Sequence, residues 1–295
     1  MRLKADITLF IISIIWGSAF VAQRVAGQLG SVYLFNGFRY LLAALVVFLF
    51  VRRINALSIP RTQYKWMGVA GFLLFVASAL QQAGMLYTTA GNAGFITSLY
   101  VVLIPVLLFL FWRERPHWLM VAAFILAGVG AFLLSTGGRF EVRTGDMLEL
   151  VGALFWAVHV IVLGKFASKF EPMSFSVGQL FVCGTLNLVT GLFLEPMIQV
   201  NGQILFAIAY TALFSLGLCY TLQVWAQRHT PPADAAILLS LESVFAVLSG
   251  WLLLGETLAR MQIVGCALIF VAVLLSQFKE WTSGTIDSDH LVEGR

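Results

Sequence analysis

One stretch of this chain occurs twice, and that repeat limits the folds open to it. Residues 87–135, moved forward by 142 positions, land on residues 229–277. Ala90-Gly91-Asn92-Ala93-Gly94 falls on Pro232-Ala233-Asp234-Ala235-Ala236, Ser98-Leu99 on Ser240-Leu241, Tyr100 on Glu242, and Glu114 on Glu256. An offset of 140 positions brings Ile15-Trp16-Gly17 onto Phe155-Trp156-Ala157, with loop insertions accounting for the difference. Self-similarity of this kind marks duplicated structural units. The chain reads as two homologous halves, residues 1–140 and 141–280, followed by a tail over 281–295 that is expected to be flexible or an appended remnant.

Each half is built of apolar runs of membrane length. Ten segments are predicted, at about 6–25, 32–51, 66–86, 91–112, 117–135, 147–164, 174–195, 204–225, 233–254 and 260–278. Helices of that size reach across a hydrocarbon core of roughly 30 Å at about 1.5 Å per residue. Hydrophobic residues make up 60% of the chain and charged residues 11%, against roughly 25% charged in soluble domains. The runs are near-continuous rather than alternating, which favours helices over a membrane barrel. The class is an all-α integral membrane protein whose immediate partner is the lipid bilayer. The first segment is long, carries Trp16 and has no clear small-x-small cleavage site before the next span, so it is expected to stay as a span.

Lys and Arg counting orients the chain. With the N-terminus cytoplasmic, that side holds twelve basic residues apart from Arg295 in the tail, among them Arg52, Arg53, Lys65, Arg113, Arg115, Lys165 and Lys169. The opposite side holds five: Arg24, Arg39, Arg139, Arg143 and Arg260. Both termini are predicted to be cytoplasmic. Five spans per half is an odd number, so the second half must enter the membrane upside down. Inverted repeats of this type characterise many secondary transporters, with substrate bound near the midplane between the halves.

The residues also carry a family resemblance. Trp16-Gly17, Phe38-Arg39-Tyr40, Gly91-Asn92-Ala93-Gly94-Phe95-Ile96, Leu241-Glu242-Ser243 and Gly250-Trp251-Leu252-Leu253-Leu254-Gly255-Glu256 together resemble the drug/metabolite transporter superfamily, in its bacterial ten-helix branch with two EamA domains. The resemblance covers about residues 6–278. It implies a multi-pass protein of the bacterial inner membrane that moves amino acids, amines, metabolites or nucleotide sugars by alternating access, mostly outward. The sequence departs from the family at Ser243, where proline commonly follows the glutamate.

Polar residues inside spans are the candidate site. Glu242 sits near the midplane, where a carboxylate is costly unless neutral, paired or facing water. It is either proton-linked, a partner for a substrate amine, or a neutral hydrogen-bonding group that holds the bundle together. Tyr100 is its repeat partner, expected to face it. Trp16 and Trp156, equivalent in the repeat, lie deeper than the interfacial belts where tryptophan is usual. They would flank an apolar, aromatic or cationic substrate, or simply pack. His159 shares a helix face with Trp156 and is either a proton exchanger or an interhelical donor. Gln81 falls on Gln223, and the two amides either line access paths or join helices. Arg39 is expected to snorkel to the outer face; the resemblance favours a structural role for it over binding a substrate carboxylate.

Asn92 and Asp234 are expected as helix caps, and Pro105 as a kink with no counterpart at Val247. Gly250 is expected to lend local flexibility in its place. Small residues in Ala127-Gly128-Val129-Gly130-Ala131 and Gly265-Cys266-Ala267 are expected to brace the last helices of each half or to form a homodimer face. Glu114 and Glu256 read as solvated. Cys183, Cys219 and Cys266 read as small core residues, not disulfides or metal ligands.

No phosphate-binding loop, His-Glu-x-x-His pair or clustered aspartate motif is present in the sequence. No cofactor, metal or catalytic pair is therefore expected, and the formal charge of +4, spread over short loops, argues against nucleic acid. The chain reads as an exporter of amino acids or related small metabolites, with Trp16, Gln81, Tyr100, Trp156, His159, Gln223 and Glu242 as binding residues and a proton as a candidate coupling ion. The alternatives are export of lipophilic cations, a membrane-embedded enzyme and a passive channel.

Overall fold

The computed structural model describes residues 1–28, 31–53, 61–88, 90–136, 144–166, 169–198, 200–255 and 259–292; the side chains of Asn92, Ser135, Thr136 and 277–292 are not described. Arg139, Arg143, Glu256 and the side chains of Asn92 and Lys279 thus lie outside the described residues. Within them the chain is helical, with no strand. In order come α1 (Arg2–Gln28), α2 (Tyr33–Arg53), α3 (Arg61–Gly84), α4 (Ala90–Ser98), α5 (Tyr100–Trp112), α6 (Trp118–Thr136), α7 (Thr144–Phe166) and α8 (Pro172–Leu194). Then follow α9 (Gly202–Tyr210), a π-helical stretch Thr211–Leu218, α10 (Cys219–Ala226), α11 (Pro232–Leu239), α12 (Leu241–Leu254) and α13 (Arg260–Val292).

Eight helical stretches are long and apolar enough to cross a membrane, with α4–α5, α9–α10 and α11–α12 each forming one. Ten were expected. The other two expected segments fall on α6, of 19 residues, and α13, of 33 residues, in which Trp118–Leu134 and Arg260–Ser276 are the apolar stretches with described side chains; at about 1.5 Å per residue both helices approach or exceed the roughly 30 Å of a hydrocarbon core. They pack on each other as α6 and α13, and a Cβ on Gly130 would lie 2.7 Å from the Gly265 carbonyl oxygen. Glycine at both positions lets the two backbones meet, as small residues do between membrane helices. The tail expected to be flexible continues α13 as helix to Val292.

Lipid is as apolar as leucine, so hydrophobicity alone cannot sort residues here; polarity does. Phe111, Phe193, Leu252 and Leu274 are exposed, whereas Asn36, Gln82, His159, Gln179 and Asn187 are fully buried. The main helix contacts join the first half of the sequence to the second: α1 against α12, α2 against α8, α3 against α7 and α8, α6 against α13.

Local chemistry fixes the ends. Glu171 caps α8 by accepting from Ser174 N at 2.6 Å, with Pro172 in the first turn, and Asn201 caps α9 through Ile204 N at 2.9 Å. Glu195, at the end of α8, reaches across to the start of α2 and accepts the backbone N–H groups of Val32, Tyr33 and Leu34 at 2.8, 3.0 and 2.9 Å. Those donors are otherwise unsatisfied at a helix start, and the carboxylate also complements the helix dipole. Glu195→Ala is expected to cost about 2 kcal/mol, read as a lowered thermal midpoint in detergent; an unchanged midpoint would refute the capping account.

Two left-handed residues end the paired helices α5 and α12. Arg113 has φ 57° and Gly255 has φ 67°, and the two are repeat-equivalent. Glycine adopts this conformation freely, whereas a residue with a Cβ is strained by about 1–2 kcal/mol. Arg113→Gly is therefore expected to raise stability by about 1 kcal/mol, which a thermal melt would register; a lowered midpoint would count against it.

Pro105, where a kink is expected, lies inside α5. A helix interruption lies upstream at Leu99, matched by one at Ser240 between α11 and α12. Ser98 and Ser240 both turn their hydroxyls back onto the carbonyl three residues earlier, at 2.7 Å to Phe95 O and Ile237 O. Such back-bonding competes with the helix ladder and bends it. No proline is needed at Ser243, whose own hydroxyl bonds Ser240 O at 2.7 Å.

Candidate functional site

A cavity lies among α1, α2, α3, α4, α5, α7, the π-helical stretch, α10 and α12. Six of the seven expected residues line it: Trp16, Gln81, Tyr100, Trp156, Gln223 and Glu242. His159 does not. It is fully buried behind the aromatic wall, its Nε2 3.0 Å from Gln179 Oε1 and its ring edge-on to Trp156 and Tyr220, which is the interhelical contact weighed from the sequence.

The helix interruptions position the carboxylate. Because α11 stops at Ser240, Glu242 falls in the first turn of α12, where the positive end of the helix dipole meets a carboxylate. Tyr100, in the first turn of α5, brings its hydroxyl beside Glu242. Gly17 of α1 allows the approach: a Cβ there would lie 2.7 Å from Glu242 O and 2.8 Å from Ala246 N.

Aromatic rings form the opposite wall. Tyr220 stacks nearly parallel to Trp156, with centroids 6.4 Å apart, and lies 5.4 Å from Trp16. Trp16 Nε1 donates to Ser215 O at 2.8 Å. Ser215 sits in the π-helical stretch, a form in which the backbone ladder is loosened and which recurs at functional sites.

Arg39 departs from expectation. It does not snorkel: it is 2% exposed and lines the cavity. Its Nε donates to Asn36 Oδ1 at 3.0 Å, and Asn36 in turn donates to Ser78 O at 3.0 Å. Its guanidinium lies over the Phe35 and Tyr40 rings at 5.0 and 5.3 Å. Cation–π contact and one amide take the place of water. Among the described residues no carboxylate pairs with it, and Glu242 Oε1 likewise has no partner. Tyr100 Oη, Trp156 Nε1 and both amide atoms of Gln223 are also buried and unpartnered. Since buried polar groups are nearly always bonded, these atoms are the hydrogen-bonding capacity left for an occupant of the cavity.

Sequence reasoning missed Tyr40, Tyr220, Thr97 and Gln23, which also line the cavity, and Glu149. Tyr40 and Tyr220 are mid-span polar aromatics, open to the depth argument applied to Trp16. Glu149 is 1% exposed and accepts from Thr97 Oγ1 at 3.2 Å, while Thr97 accepts from Gln81 Nε2 at 2.9 Å.

Two polar clusters close the ends of α1. At one, Arg2 bonds Asp6 at 3.1 Å and Asp234 at 2.9 Å, and Thr230 donates to Asp6 at 2.9 Å. Asp234 is thus an ion-pair partner, not the expected cap; Pro231 holds the cap position of α11 without a side-chain bond. At the other end Arg24 donates to Thr88 O at 3.0 Å, and Thr88 Oγ1 to Asp146 at 3.3 Å. Glu114, expected as solvated, is half-exposed and paired with Lys165, whose ammonium lies 5.7 Å from the Trp112 ring centroid. Cys183, Cys219 and Cys266 are free.

Comparison with known proteins places this architecture. Residues 3–136 and 143–278 each match the EamA-like transporter family. The chain is 33% identical over 278 residues to an uncharacterized transporter of Archaeoglobus fulgidus, covering 93% of this chain and 86% of that protein. It is 24% identical to a chloroplastic WAT1-related protein of Arabidopsis thaliana, over 90% of this chain and 67% of that one. A solved crystal structure superposes with a TM-score of 0.80 at 16% identity, covering 94% of this chain and 97% of the other, a likeness of fold. A multi-pass helical chain that matches the family twice and keeps a cavity with buried polar side chains among its helices is a membrane transporter, and it belongs to the EamA-like family of the drug/metabolite transporter superfamily.

Proposed function

We propose that this chain exports α-amino acids, or closely related zwitterions, across the inner membrane by alternating access. One observation carries the reading. A buried cation, Arg39, and a buried carboxylate, Glu242, line the same cavity, and among the described residues neither has an ion-pair partner: Arg39 is bonded to the Asn36 amide and Glu242 has the Tyr100 hydroxyl beside it. Buried charges are costly unless compensated. A zwitterion compensates both, its carboxylate on Arg39 and its ammonium on Glu242, with its side chain against Trp16, Trp156 and Tyr220. Bidentate carboxylate recognition is what a guanidinium does well. A lipophilic cation would suit the rings and Glu242 but would meet Arg39 as a like charge. An enzyme would need a catalytic pair that the cavity lining does not offer.

Alternating access rests on the repeat. We read residues 1–140 and 141–280 as inverted halves with both termini cytoplasmic, supported by the Lys and Arg distribution and by the two family matches. Under the same offsets Thr88 corresponds to Thr230 and Asp6 to Asp146. The Thr230–Asp6 and Thr88–Asp146 bonds are then one latch built twice, one at the cytoplasmic end and one at the outer end. Both are made in this structure.

The test is counterflow in proteoliposomes with radiolabelled amino acids, competed by analogues lacking one charge. α-Amino acids should exchange and compete, while their amides and decarboxylated amines should not. Competition by the amines alone, or by tetraphenylphosphonium, would transfer the cargo to cations and overturn the reading.

A further inference from the structure

A second buried carboxylate lies outside the cavity lining. Glu149, in the second turn of α7, accepts a hydrogen bond on Oε2 from Thr97, and its Oε1 has no partner. Room for it is made by Gly84 of α3: a Cβ there would lie 2.7 Å from Glu149 Cγ and 2.8 Å from Oε1. The side chain is therefore held in one place by α3 and α4, with one carboxyl oxygen bonded and the other bare. A proton on that bare oxygen is the smallest occupant that would complete it.

The link to the cavity is direct. Gln81 Nε2 donates to Thr97 Oγ1 at 2.9 Å, and the Thr97 hydroxyl in turn donates to Glu149 Oε2 at 3.2 Å. Gln81 and Thr97 both line the cavity, so a substrate that draws on either alters the donor that Glu149 receives. Two sites that share a donor are coupled, and the coupling is reciprocal.

The surrounding charges leave Glu149 separate. On its own helix the charged neighbour is Asp146, which Thr88 bonds. α3 faces it with Gln81 and Gly84, and α4 with Thr97. α5 carries Tyr100, placed beside Glu242. α11 carries Asp234, held by Arg2 at the far end of α1, and α1 places Arg24 on the Thr88 carbonyl.

We propose that Glu149 is the binding site of a coupling proton, distinct from the Arg39–Glu242 substrate site, with Thr97 and Gln81 relaying its state to the cavity. This rests on the transport reading above. Substrate and proton then occupy different carboxylates, and the pH gradient drives transport through Glu149 alone.

Purified protein in proteoliposomes, with the membrane potential clamped, separates the two ideas. Counterflow at equal pH reads the substrate site; accumulation against a pH gradient, imposed in either polarity, reads the proton site. One pH unit sustains about a tenfold gradient at one proton per substrate. Glu149→Gln should keep counterflow and lose that accumulation entirely, and Glu149→Asp should restore part of it. Counterflow in the glutamine variant also certifies its fold. Accumulation unchanged in Glu149→Gln, or counterflow lost from a protein that still elutes as wild type, overturns the proposal. Should wild type move no zwitterion, the substrate reading fails by itself. The proton site is then read without substrate, by infrared spectroscopy in detergent: a protonated-carboxyl band that titrates with pH and is missing in Glu149→Gln supports it, and an identical spectrum overturns it.

Discussion

Glu242→Gln is expected to weaken binding of an α-amino acid by roughly two to three orders of magnitude while leaving the fold in place. The amide is isosteric, Glu242 Oε1 has no partner within the protein, and an amide oxygen can still accept from the neighbouring Tyr100 hydroxyl, so little folding energy is at stake. Binding is another matter. In the low-dielectric cavity the substrate ammonium would lose its only counter-charge, and stranding one member of a buried ion pair costs about 3–5 kcal/mol. At about 1.4 kcal/mol per decade, that is most of a metabolite transporter's affinity. Trp16 and Trp156 line the same cavity, so quenching of tryptophan fluorescence on titration is a direct measure. An α-hydroxy acid, with the carboxylate but no ammonium, should discriminate little between wild type and variant. Undiminished amino-acid affinity in Glu242→Gln would assign the carboxylate to holding helices together.

The second large effect comes from a single methyl group. Gly17→Ala places a Cβ 2.7 Å from Glu242 O and 2.8 Å from Ala246 N. Both are backbone atoms of α12, which cannot rotate aside as a side chain would. The helices must separate, at a cost of about 1–3 kcal/mol for overpacking, and they separate where Trp16 and Glu242 face the cavity. Stability and transport should therefore fall together. A thermal melt in detergent paired with counterflow would check this. Gly68, with nothing within 4 Å of its added Cβ, is the control, and Gly68→Ala should be neutral or slightly stabilising, as expected in a helix interior. A Gly17→Ala protein indistinguishable from that control would mean that α1 and α12 are not in the contact described.

How much of this was legible beforehand depended on the physical signal each residue leaves. Long apolar runs identify spans because nothing else in a protein looks like them. Trp16, Gln81, Tyr100, Trp156, Gln223 and Glu242 stood out because polar or bulky groups at midplane depth need a reason. Glu149 did not stand out: it lies two residues inside the predicted sixth segment, where a carboxylate reads as a helix-end charge. Its burial follows from Gly84 on another helix, a tertiary fact. Arg39 misled for the opposite reason. Its distance from the span end allowed snorkelling, and only the packed Phe35 and Tyr40 rings and Asn36 make staying inside the better solution.

α1 joins many of these features on one element. Trp16 is tied to Ser215, Gly17 is pressed against α12, Asp6 meets Thr230 at one end, and Arg24 bonds the Thr88 carbonyl at the other. The pinned middle lies about 15 Å from Asp6 and about 12 Å from Arg24 along the axis. Such a helix behaves as a beam on a pivot. A tilt that lifts one end off its neighbour presses the other end home, with almost equal lever arms and no slack between them. Simultaneous opening at both faces would then require bending the beam itself, so the rigidity of one helix would guard the cell against leakage whether or not cargo is aboard.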